Sequence, residues 1–329
     1  MSAEPRVLVT GGAGFIGSHC CKMLKAAGFD PVTYDNLSMG HQRAVKWGEF
    51  YDGDLLDTAR LMAALGAVKP VAVIHLAASA YVAESVVDPA KYYRNNVAGM
   101  ESLLNACKAQ AVGNFIFSSS CATYGIPATD LISESTEQRP INPYGRTKLM
   151  GEHMLEDFAD AYGMHFAMLR YFNACGADPD GEIGEWHMPE THLIPRVLMA
   201  ASGVIPEIEV FGTDFPTPDG TCIRDYIHVT DLANAHVRAL QHILGGGQNL
   251  KVNLGTGQGH SIRQILFAVE RVVSRPVPAV FKPRRPGDPP RLVADIRLAR
   301  TALGFNPRHS DLETIIRTAA PFFGLPPAS

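Results

Sequence analysis

The sequence lacks the features that mark several protein classes. Its 29 lysines and arginines are outnumbered by 33 aspartates and glutamates, and no basic run occurs, so a nucleic-acid-binding surface is not expected. No uncharged apolar run reaches about 18 residues, which argues against a membrane-spanning helix. The six cysteines show no C-x-x-C spacing and are typical of buried free thiols. We therefore expect a cytoplasmic protein that binds neither nucleic acid nor membranes.

Short β-rich runs alternate with helical patterns through the first half of the chain. This alternation predicts a parallel sheet covered by helices on both faces, a Rossmann-like doubly wound α/β fold. The predicted strands are Arg6–Thr10, Pro31–Asp35, Glu49–Gly53, Val71–His75, Asn114–Ser118 and His165–Tyr171. The predicted helices are Phe15–Ala27, Thr58–Val68, Tyr92–Gln110, Tyr144–Ala161, Leu193–Ser202, Val229–Leu244 and Ser261–Val273, the last with Ser261 as its N-cap.

The texture of the sequence changes after Asn173, where long loops rich in glycine and proline appear. Such loops are the usual place for ligand contacts. We predict a nucleotide-binding domain over residues 1–178 and a smaller C-terminal α/β substrate domain over residues 179–329. A segment near residues 222–245 is expected to return to the first domain.

A glycine-rich turn follows the first predicted strand and opens a helical pattern. Gly11, Gly12, Gly14 and Gly17 stand where a backbone must turn tightly and approach a pyrophosphate, whose charge suits the helix N-terminus. Glycines alone would also fit an ordinary turn. Asp35, however, ends the next strand and can accept hydrogen bonds from ribose hydroxyls, so the pattern predicts a dinucleotide site.

Other strand ends extend this predicted site. Asp54 ends the third strand, within reach of an adenine. Ala77 and Ala78 follow the fourth strand and are small enough for a dinucleotide to pass, although simple core packing explains them equally well.

Tyr144 and Lys148 stand four positions apart at the head of a predicted helix, on one face. An adjacent ammonium favours a phenolate, so we expect the pKa of Tyr144 to be lowered and its oxygen to act as a base. A serine-rich strand end supplies hydroxyls that could bind the substrate oxygen. Spacing alone does not choose among Ser118, Ser119, Ser120 and Thr123.

A second group of polar residues, Glu185, His187, Glu190 and His192, contains possible metal ligands. The stretch lacks a helical i, i+4 pair of histidines, and hydride chemistry needs no metal. We therefore predict no metal site, and interpret the stretch as a polar loop over the substrate cleft.

Taken together, these motifs resemble the extended short-chain dehydrogenase/reductase superfamily, and within it the UDP-glucose 4-epimerase family. The resemblance covers essentially the whole chain. Its markers are residues 11–19, 34–38, 53–55, 75–78, 92–97, 115–125, 142–148, 169–173 and 219–231.

The resemblance implies tightly bound NAD, with Tyr144 as base, Lys148 as its activator and Ser120 as the hydroxyl partner of the sugar. The implied NAD contacts are Gly11, Gly12, Gly14, Phe15, Ile16, Gly17, Asp35, Asn36, Ser38, Asp54, Leu55, Ala77, Ala78, Asn95, Tyr144, Lys148 and Phe172. The implied UDP-sugar contacts are Ser120, Tyr144, Asn173, Leu193, Phe211, Arg224, Arg285, Asp288 and Leu292.

The implied reaction interconverts UDP-glucose and UDP-galactose by inversion at C4 through a transient 4-keto sugar. Leu292 and His192 replace residues often found near the sugar in relatives, so UDP-N-acetylhexosamines or the UDP-xylose/UDP-arabinose pair are alternatives. A 4,6-dehydratase is disfavoured because Cys121 and Ala122 stand where an acid/base pair is expected. The alternative of another class is a non-catalytic NAD-binding regulatory protein, which could dispense with Tyr144 and Lys148. The family also implies a homodimer formed through the helices that begin at Tyr92 and Tyr144.

Replacement of Asp35 by alanine tests the predicted preference for NAD. The carboxylate would repel the 2′-phosphate of NADP, and the following residues supply no arginine before Arg43. We expect Asp35→Ala to reduce the NAD preference by about tenfold, the effect of one screened charge repulsion. Binding of both cofactors is measured by titration. An unchanged preference for NAD would show that the Asp35 carboxylate does not set it.

Overall fold

The computed structural model describes residues 4–285 and 288–326 and contains a seven-stranded sheet in which every neighbouring pair is parallel. Pro286 and Gly287, within one of the predicted substrate loops, lie outside the described residues. The strands run in the spatial order Leu250–Leu254, His165–Tyr171, Asn114–Ser120, Ala72–His75, Arg6–Thr10, Asp30–Asp35 and Glu49–Asp52. The predicted doubly wound α/β fold is confirmed.

The strand order reverses beside the first strand of the chain. Arg6–Thr10 pairs with Asp30–Asp35 on one side and with Ala72–His75 on the other. Loops leaving such a pair of strands diverge to opposite faces and open a crevice at the carboxyl edge, where ligands bind in sheets of this kind. The predicted glycine turn therefore lies at the mouth of this crevice.

Helices cover both faces of the sheet because the strand residues alternate between two apolar cores. Val7 and Val9 pack into one core cluster and Leu8 into the other. The first core includes residues of helices Phe15–Ala26 and Val229–Leu244. The second core includes residues of helices Thr58–Val68, Gly99–Ala109 and Pro143–Tyr162.

The rest of the second half forms a smaller layer of short strands and helices. Its strands are Asn173–Cys175, Ile208–Phe211, Ile223–Arg224, Tyr226–His228, His260–Ser261, Ala279–Lys282 and Arg291–Leu292. Its helices are Leu193–Ala201, Ile262–Val273 and Leu312–Ala319, and Ser261 is confirmed as an N-cap with a complete capping box. Helices Val229–Leu244 and Arg297–Leu303 and strand Leu250–Leu254 instead belong to the layers of the large sheet. The boundary near residue 178 stays a prediction.

Two elements differ from their predicted bounds by more than one residue at an end. The fifth strand continues to Ser120 because Ser118, Ser119 and Ser120 pair with the neighbouring strand His165–Tyr171. The predicted helix from Tyr92 is divided: short helices Val82–Val87 and Pro89–Tyr92 precede a π-helical turn, Tyr93–Ala98, which leads into Gly99–Ala109. Among the described residues, no helix is long and apolar enough to cross a membrane.

A buried ion pair lies behind the serine-rich strand end. Arg170 Nε lies 2.9 Å from Glu152 Oε1, and Arg170 Nη2 lies 2.6 Å from Glu152 Oε2. The two side chains are only 2% and 1% exposed. Burial alone would raise the pKa of Glu152, but the hydrogen bonds and charge of Arg170 hold it below its usual value. This pair fixes helix Pro143–Tyr162 against the sheet.

Removal of the carboxylate should destabilise the fold strongly. We expect Glu152→Gln to lower the free energy of unfolding by about 3–5 kcal/mol, because Arg170 is left buried without its counter-charge. Urea denaturation measures this change. Glu156→Gln is the matched control: it lies one turn further along the same helix, and its pair with Lys251 is about a third exposed, worth about 0–1 kcal/mol.

The same comparison should depend on pH. Because the folded pKa of Glu152 is lowered, its stabilisation is fully present above the unfolded value of about 4.3 and is lost as the pH falls through the folded pKa. The stability difference between the wild-type chain and Glu152→Gln should therefore shrink in acid. A difference that is small at neutral pH, or that grows in acid, would contradict the assignment.

Candidate active site

The glycine turn after the first strand is a backbone cradle that larger residues would fill. Gly11 has a φ of +75°, and a Cβ on Gly17 would lie 2.0 Å from the carbonyl oxygen of Gly11. Gly14 is the N-cap of helix Phe15–Ala26 and supplies no side-chain cap, so the first N–H groups of this helix can bind an anion. A dinucleotide pyrophosphate fits these residues. Gly12 lies in this turn, and Phe15 and Ile16 are the first residues of the helix that follows it.

Asp35 stands at the end of the second strand and faces this turn. Its carboxylate accepts hydrogen bonds from the N–H groups of Ala13, at 3.0 Å, and Leu37, at 2.9 Å. Burial raises the pKa of Asp35, and these two hydrogen bonds oppose that shift. The neighbouring Ser38 N–H donates to Asn36 Oδ1 at 3.0 Å, which shapes the loop that follows the strand. The carboxylate is thus held where a ribose would reach it.

The third strand ends beside the same loop. Asn36 Nδ2 donates to Asp54 Oδ2 at 2.9 Å, and Leu55 is buried. These contacts bring together the residues that sequence analysis assigned to the adenosine end of the cofactor.

The loop after the fourth strand touches the glycine turn. A Cβ on Gly11 would lie 2.6 Å from the backbone nitrogen of Ala77. Ala77 also packs against the core. Both explanations from the sequence therefore hold for Ala77: its backbone lies close to the glycine turn, and its side chain belongs to the core packing. Ala78 follows in the same loop.

Asn96 holds this loop to the helix that carries Tyr144, a role that sequence analysis missed. Its Nδ2 donates to the carbonyl of Ser79 and to Thr147 Oγ1, both at 3.0 Å, and its Oδ1 accepts from the Ser79 N–H at 2.8 Å. The predicted NAD contact Asn95 is its neighbour and donates to Asn96 Oδ1. The π-helical turn sets this orientation; such turns are frequent at functional sites. Phe172, another predicted contact, is buried.

Tyr144, Lys148 and Ser120 converge at the carboxyl edge of the sheet. Asn142 caps their helix by accepting from the Gly145 N–H at 2.8 Å. The Ser120 side chain favours the ionised form of the Tyr144 phenol and so lowers its pKa, against the larger effect of burial. Lys148 Nζ donates to the carbonyl of Ser118 at 2.7 Å and lies 5.9 Å from the centre of the Tyr144 ring.

The partners of the serine-rich strand end distinguish its four hydroxyls. Ser120 is the one whose side chain acts on the pKa of Tyr144, and its Oγ also accepts a hydrogen bond from the Ala122 N–H at 3.1 Å. The side chains of Ser118, Ser119 and Thr123 bond elsewhere, to Tyr171, Glu152 and the carbonyl of Ser120 respectively. The geometry therefore favours Ser120 as the substrate hydroxyl.

The expected lowering of the Tyr144 pKa is not found in the protein alone. Burial raises the pKa of Tyr144 to about 12, although the Ser120 side chain opposes this shift. Burial also lowers the pKa of Lys148 to about 8. The loss of water around both groups outweighs their proximity, and Lys148 Nζ bonds a carbonyl rather than the phenol. An additional positive charge is needed to activate the phenol.

Three of the predicted substrate residues, Arg224, Arg285 and Asp288, lie near Cys222 in the smaller layer. Burial raises the pKa of Cys222, and the charges of Arg224, Asp288 and Arg285 all act on it. The Arg224 charge also acts on Cys121, the residue after Ser120, which places Arg224 near the serine-rich strand end. Arg285 Nε lies 3.2 Å from Asp288 Oδ2.

Apolar residues of the predicted substrate site lie beside these charges. We call the whole group the substrate wall; it consists of Asn173, Leu193, Phe211, Arg224, Arg285, Asp288 and Leu292. The Arg285 guanidinium lies 4.5 Å above the Phe211 ring. Leu292 is paired with Arg224 on adjacent strands, and Leu193 packs against the cluster that contains Cys222. Asn173 begins the short strand Asn173–Cys175.

Asp225 supports this wall and was missed as an individual residue. It is buried, and its carboxylate accepts from the N–H groups of Thr256, Gly257 and Ala294 at 2.8–3.1 Å. The one sequence signal for Asp225 is its position next to Arg224 within residues 219–231, one of the family markers.

The polar stretch Glu185 to His192 converges beside the cofactor site. The ring of His187 lies 6.3 Å from that of Phe15 and 5.9 Å from that of Tyr81. The side chain of His187 forms a compact cluster with those of Glu185, Glu190 and His192.

A family profile described as "NAD dependent epimerase/dehydratase family" matches residues 7–255. The chain belongs to this family. The match spans the glycine turn, the serine-rich strand end, the Tyr144 helix and the first residues of the substrate wall.

Members of the NAD dependent epimerase/dehydratase family with known names resemble the chain over nearly its full length. A UDP-glucose 4-epimerase of Rhizobium meliloti is 51% identical over 95% of this chain and 95% of its own length. The crystal structure of UDP-glucose 4-epimerase from Brucella ovis in complex with NAD is 62% identical, covers 98% of this chain and 100% of that chain, and has a TM-score of 0.97. An epimerase from Stenotrophomonas maltophila, with bound NAD and formylated UDP-arabinopyranose, is 39% identical, covers 98% of both chains and has a TM-score of 0.94.

The predicted family resemblance is confirmed by these matches, and the family description agrees with NAD as the predicted cofactor. The roles of the individual residues stay predictions.

Gly17→Ala tests the cradle. The added methyl would overlap the Gly11 carbonyl, so the turn must shift and the bound nucleotide should fall at least about tenfold. Nucleotide released by denaturation is measured per chain. Gly113→Ala is the control, since a Cβ there meets no atom within 4 Å. Full nucleotide content in a folded Gly17→Ala chain would show that this turn does not hold the cofactor.

Proposed function

We propose that the chain interconverts UDP-glucose and UDP-galactose by inverting C4 of the sugar through a transient 4-keto sugar. The observation that carries this proposal is the convergence of Tyr144, Lys148 and Ser120 beside the glycine cradle. The names of the relatives support the same reaction.

Tyr144 serves as the base that takes the proton of the 4-hydroxyl and later returns it. The chemistry that bound NAD supplies is reversible hydride exchange with C4 of the sugar, so the reaction is redox-neutral overall. Ser120 donates to or accepts from the same substrate oxygen, while Lys148 contributes charge and binds the cofactor ribose. A phenol of raised pKa holds its proton firmly in the resting protein and releases it only when positive charge is added nearby.

The substrate wall anchors the nucleotide part of the substrate. Arg224 and Arg285 offer guanidinium groups to the diphosphate, and Phe211 and Leu193 supply apolar contact. Arg285 is 60% exposed at its side chain, so it is accessible to a ligand. Inversion at C4 requires this firm hold on UDP, because the keto sugar must turn over while it stays bound.

The remaining alternatives are less well supported. UDP-N-acetylhexosamines and UDP-pentoses rank behind UDP-glucose, although Leu292 leaves an apolar wall near the sugar. A regulatory protein would not need the buried Tyr144, Lys148 and Ser120 together.

We further propose that residues 1–178 form the NAD-binding domain and residues 179–329 the nucleotide-sugar domain, with residues 222–245 returning to the first.

A homodimer through the helices near Tyr92 and Tyr144 is also proposed. Met150 supports the dimer because this apolar side chain is 41% exposed and free to contact a partner. Met154 and Phe158, in contrast, pack against the core of the same chain. The cytoplasmic location stays a prediction.

Incubation with separate UDP-sugars, without added cofactor, tests the reaction. We expect UDP-glucose and UDP-galactose to interconvert, and Tyr144→Phe to lower turnover about 100- to 10,000-fold while bound nucleotide is retained. Products are identified by chromatography. Tyr162→Phe is the control, because it removes the same atom from an exposed tyrosine at the other end of the helix.

Three results would contradict the proposal. Turnover confined to UDP-pentoses or to N-acetylated sugars would exclude the preferred substrate. Unchanged turnover in Tyr144→Phe would exclude the proposed base. Bound nucleotide without turnover of any UDP-sugar would favour the regulatory alternative.

A further inference from the structure

Four possible metal ligands converge in the loop before helix Leu193–Ala201. Glu185, His187, Glu190 and His192 each offer one ligand atom, and all four atoms lie within 4.8 Å of one another. The carboxyl side chains are 4% and 6% exposed and that of His187 is 18% exposed, whereas that of His192 is 42% exposed and leaves a route from solvent.

The distances match a four-coordinate metal site. His187 Nδ1 lies 3.0 Å from Glu185 Oε1 and 3.6 Å from Glu190 Oε2. His192 Nδ1 lies 2.9 Å from Glu185 Oε1 and 2.9 Å from Glu190 Oε1. A tetrahedral ion with bonds of about 2.0 Å separates its ligand atoms by roughly 3.3 Å. The observed separations lie on both sides of this value.

Hydrogen bonds account for one contact of each histidine, His187 with Glu185 and His192 with Glu190. Each Nδ1 atom carries at most one hydrogen, yet each faces oxygens of both Glu185 and Glu190. Once the imidazoles have released the protons that metal binding displaces, the two carboxylates leave a combined charge of −2, which a divalent cation would neutralise.

Tyr81 provides a second observation. Its ring lies 5.9 Å from that of His187 and 6.1 Å from that of His192. Its hydroxyl is buried and has no hydrogen-bond partner within residues 4–285 and 288–326. A buried polar atom of this kind calls for a further partner, which a water molecule or an ion would supply.

We propose that Glu185, His187, Glu190 and His192 bind one divalent transition-metal ion, with zinc the best match to two imidazoles and two carboxylates. Sequence analysis predicted no metal because the histidines lack a helical i, i+4 spacing. The loop turns back on itself instead and brings His187 and His192 together, with ring centres 5.1 Å apart.

Four protein ligands make this a structural site rather than a catalytic one. The ion would hold the loop against Phe15 at the cofactor cradle and set the start of helix Leu193–Ala201, which carries a predicted substrate contact. The neighbouring acidic group of Asp178, Asp180 and Glu182 is different, because Lys22 Nζ already lies 2.7–2.8 Å from all three carboxylates.

Zinc titration of the untagged, chelator-treated chain tests the site without reference to epimerase activity. We expect one zinc per chain against a chromophoric competing chelator. The double substitution His187→Ala with His192→Ala should weaken affinity at least about 100-fold, since loss of even an outer partner costs about 10- to 100-fold. Asp180→Asn is the control and should bind zinc normally.

Cobalt provides a measurement that needs no variant. Bound Co²⁺ in the wild-type chain should show the intense visible absorption of a four-coordinate ion, and zinc should displace it. Zinc binding that the double substitution leaves unchanged, an absence of stoichiometric zinc binding, or a weak octahedral cobalt spectrum would each overturn the proposal. Failure here leaves the proposed epimerase reaction untouched, because that reaction is measured separately by its products.

Discussion

The exclusion of water from Tyr144 and Lys148 is the constraint on which the proposed chemistry depends. Both side chains lie between a helix and the carboxyl edge of the sheet, 8% and 4% exposed. Burial raises the pKa of the phenol to about 12 and lowers that of the ammonium to about 8. The phenol is therefore a poor base in the protein alone, and an adjacent cation has a large effect in so dry a site. In the proposed reaction, proton transfer is thereby coupled to the presence of an oxidised cofactor.

The scaffold keeps this dry site in register through a few buried polar contacts. The pair of Glu152 and Arg170 secures the catalytic helix from behind, and Asn96 joins the same helix to the loop after the fourth strand. Each contact satisfies groups that would be costly to bury alone. Because the helix, the strand end and the glycine turn belong to one sheet edge, the residues predicted to bind the cofactor and the substrate are positioned together.

Much of this arrangement could be predicted because its signals are local. The glycine turn, the strand–helix alternation and the Tyr144–Lys148 spacing each depend on neighbouring residues. The return of strand Leu250–Leu254 to the large sheet and the Glu152–Arg170 pair depend on contacts distant in sequence, so spacing did not indicate them. The direction of the Tyr144 pKa was wrong for the protein alone because the sequence shows which charges are near but not how much water is lost. The convergence of His187 and His192 was missed because a loop, not a helix, brings them together.

A tyrosinate titration tests the central claim most directly. The ultraviolet difference between the wild-type chain and Tyr144→Phe reports the ionisation of this one phenol as the pH is raised, in nucleotide-free and in NAD-loaded protein. The account predicts a pKa well above the ordinary value of about 10 without nucleotide and a distinctly lower one with NAD bound. An ordinary pKa in the free protein, or the same pKa in both forms, would contradict it.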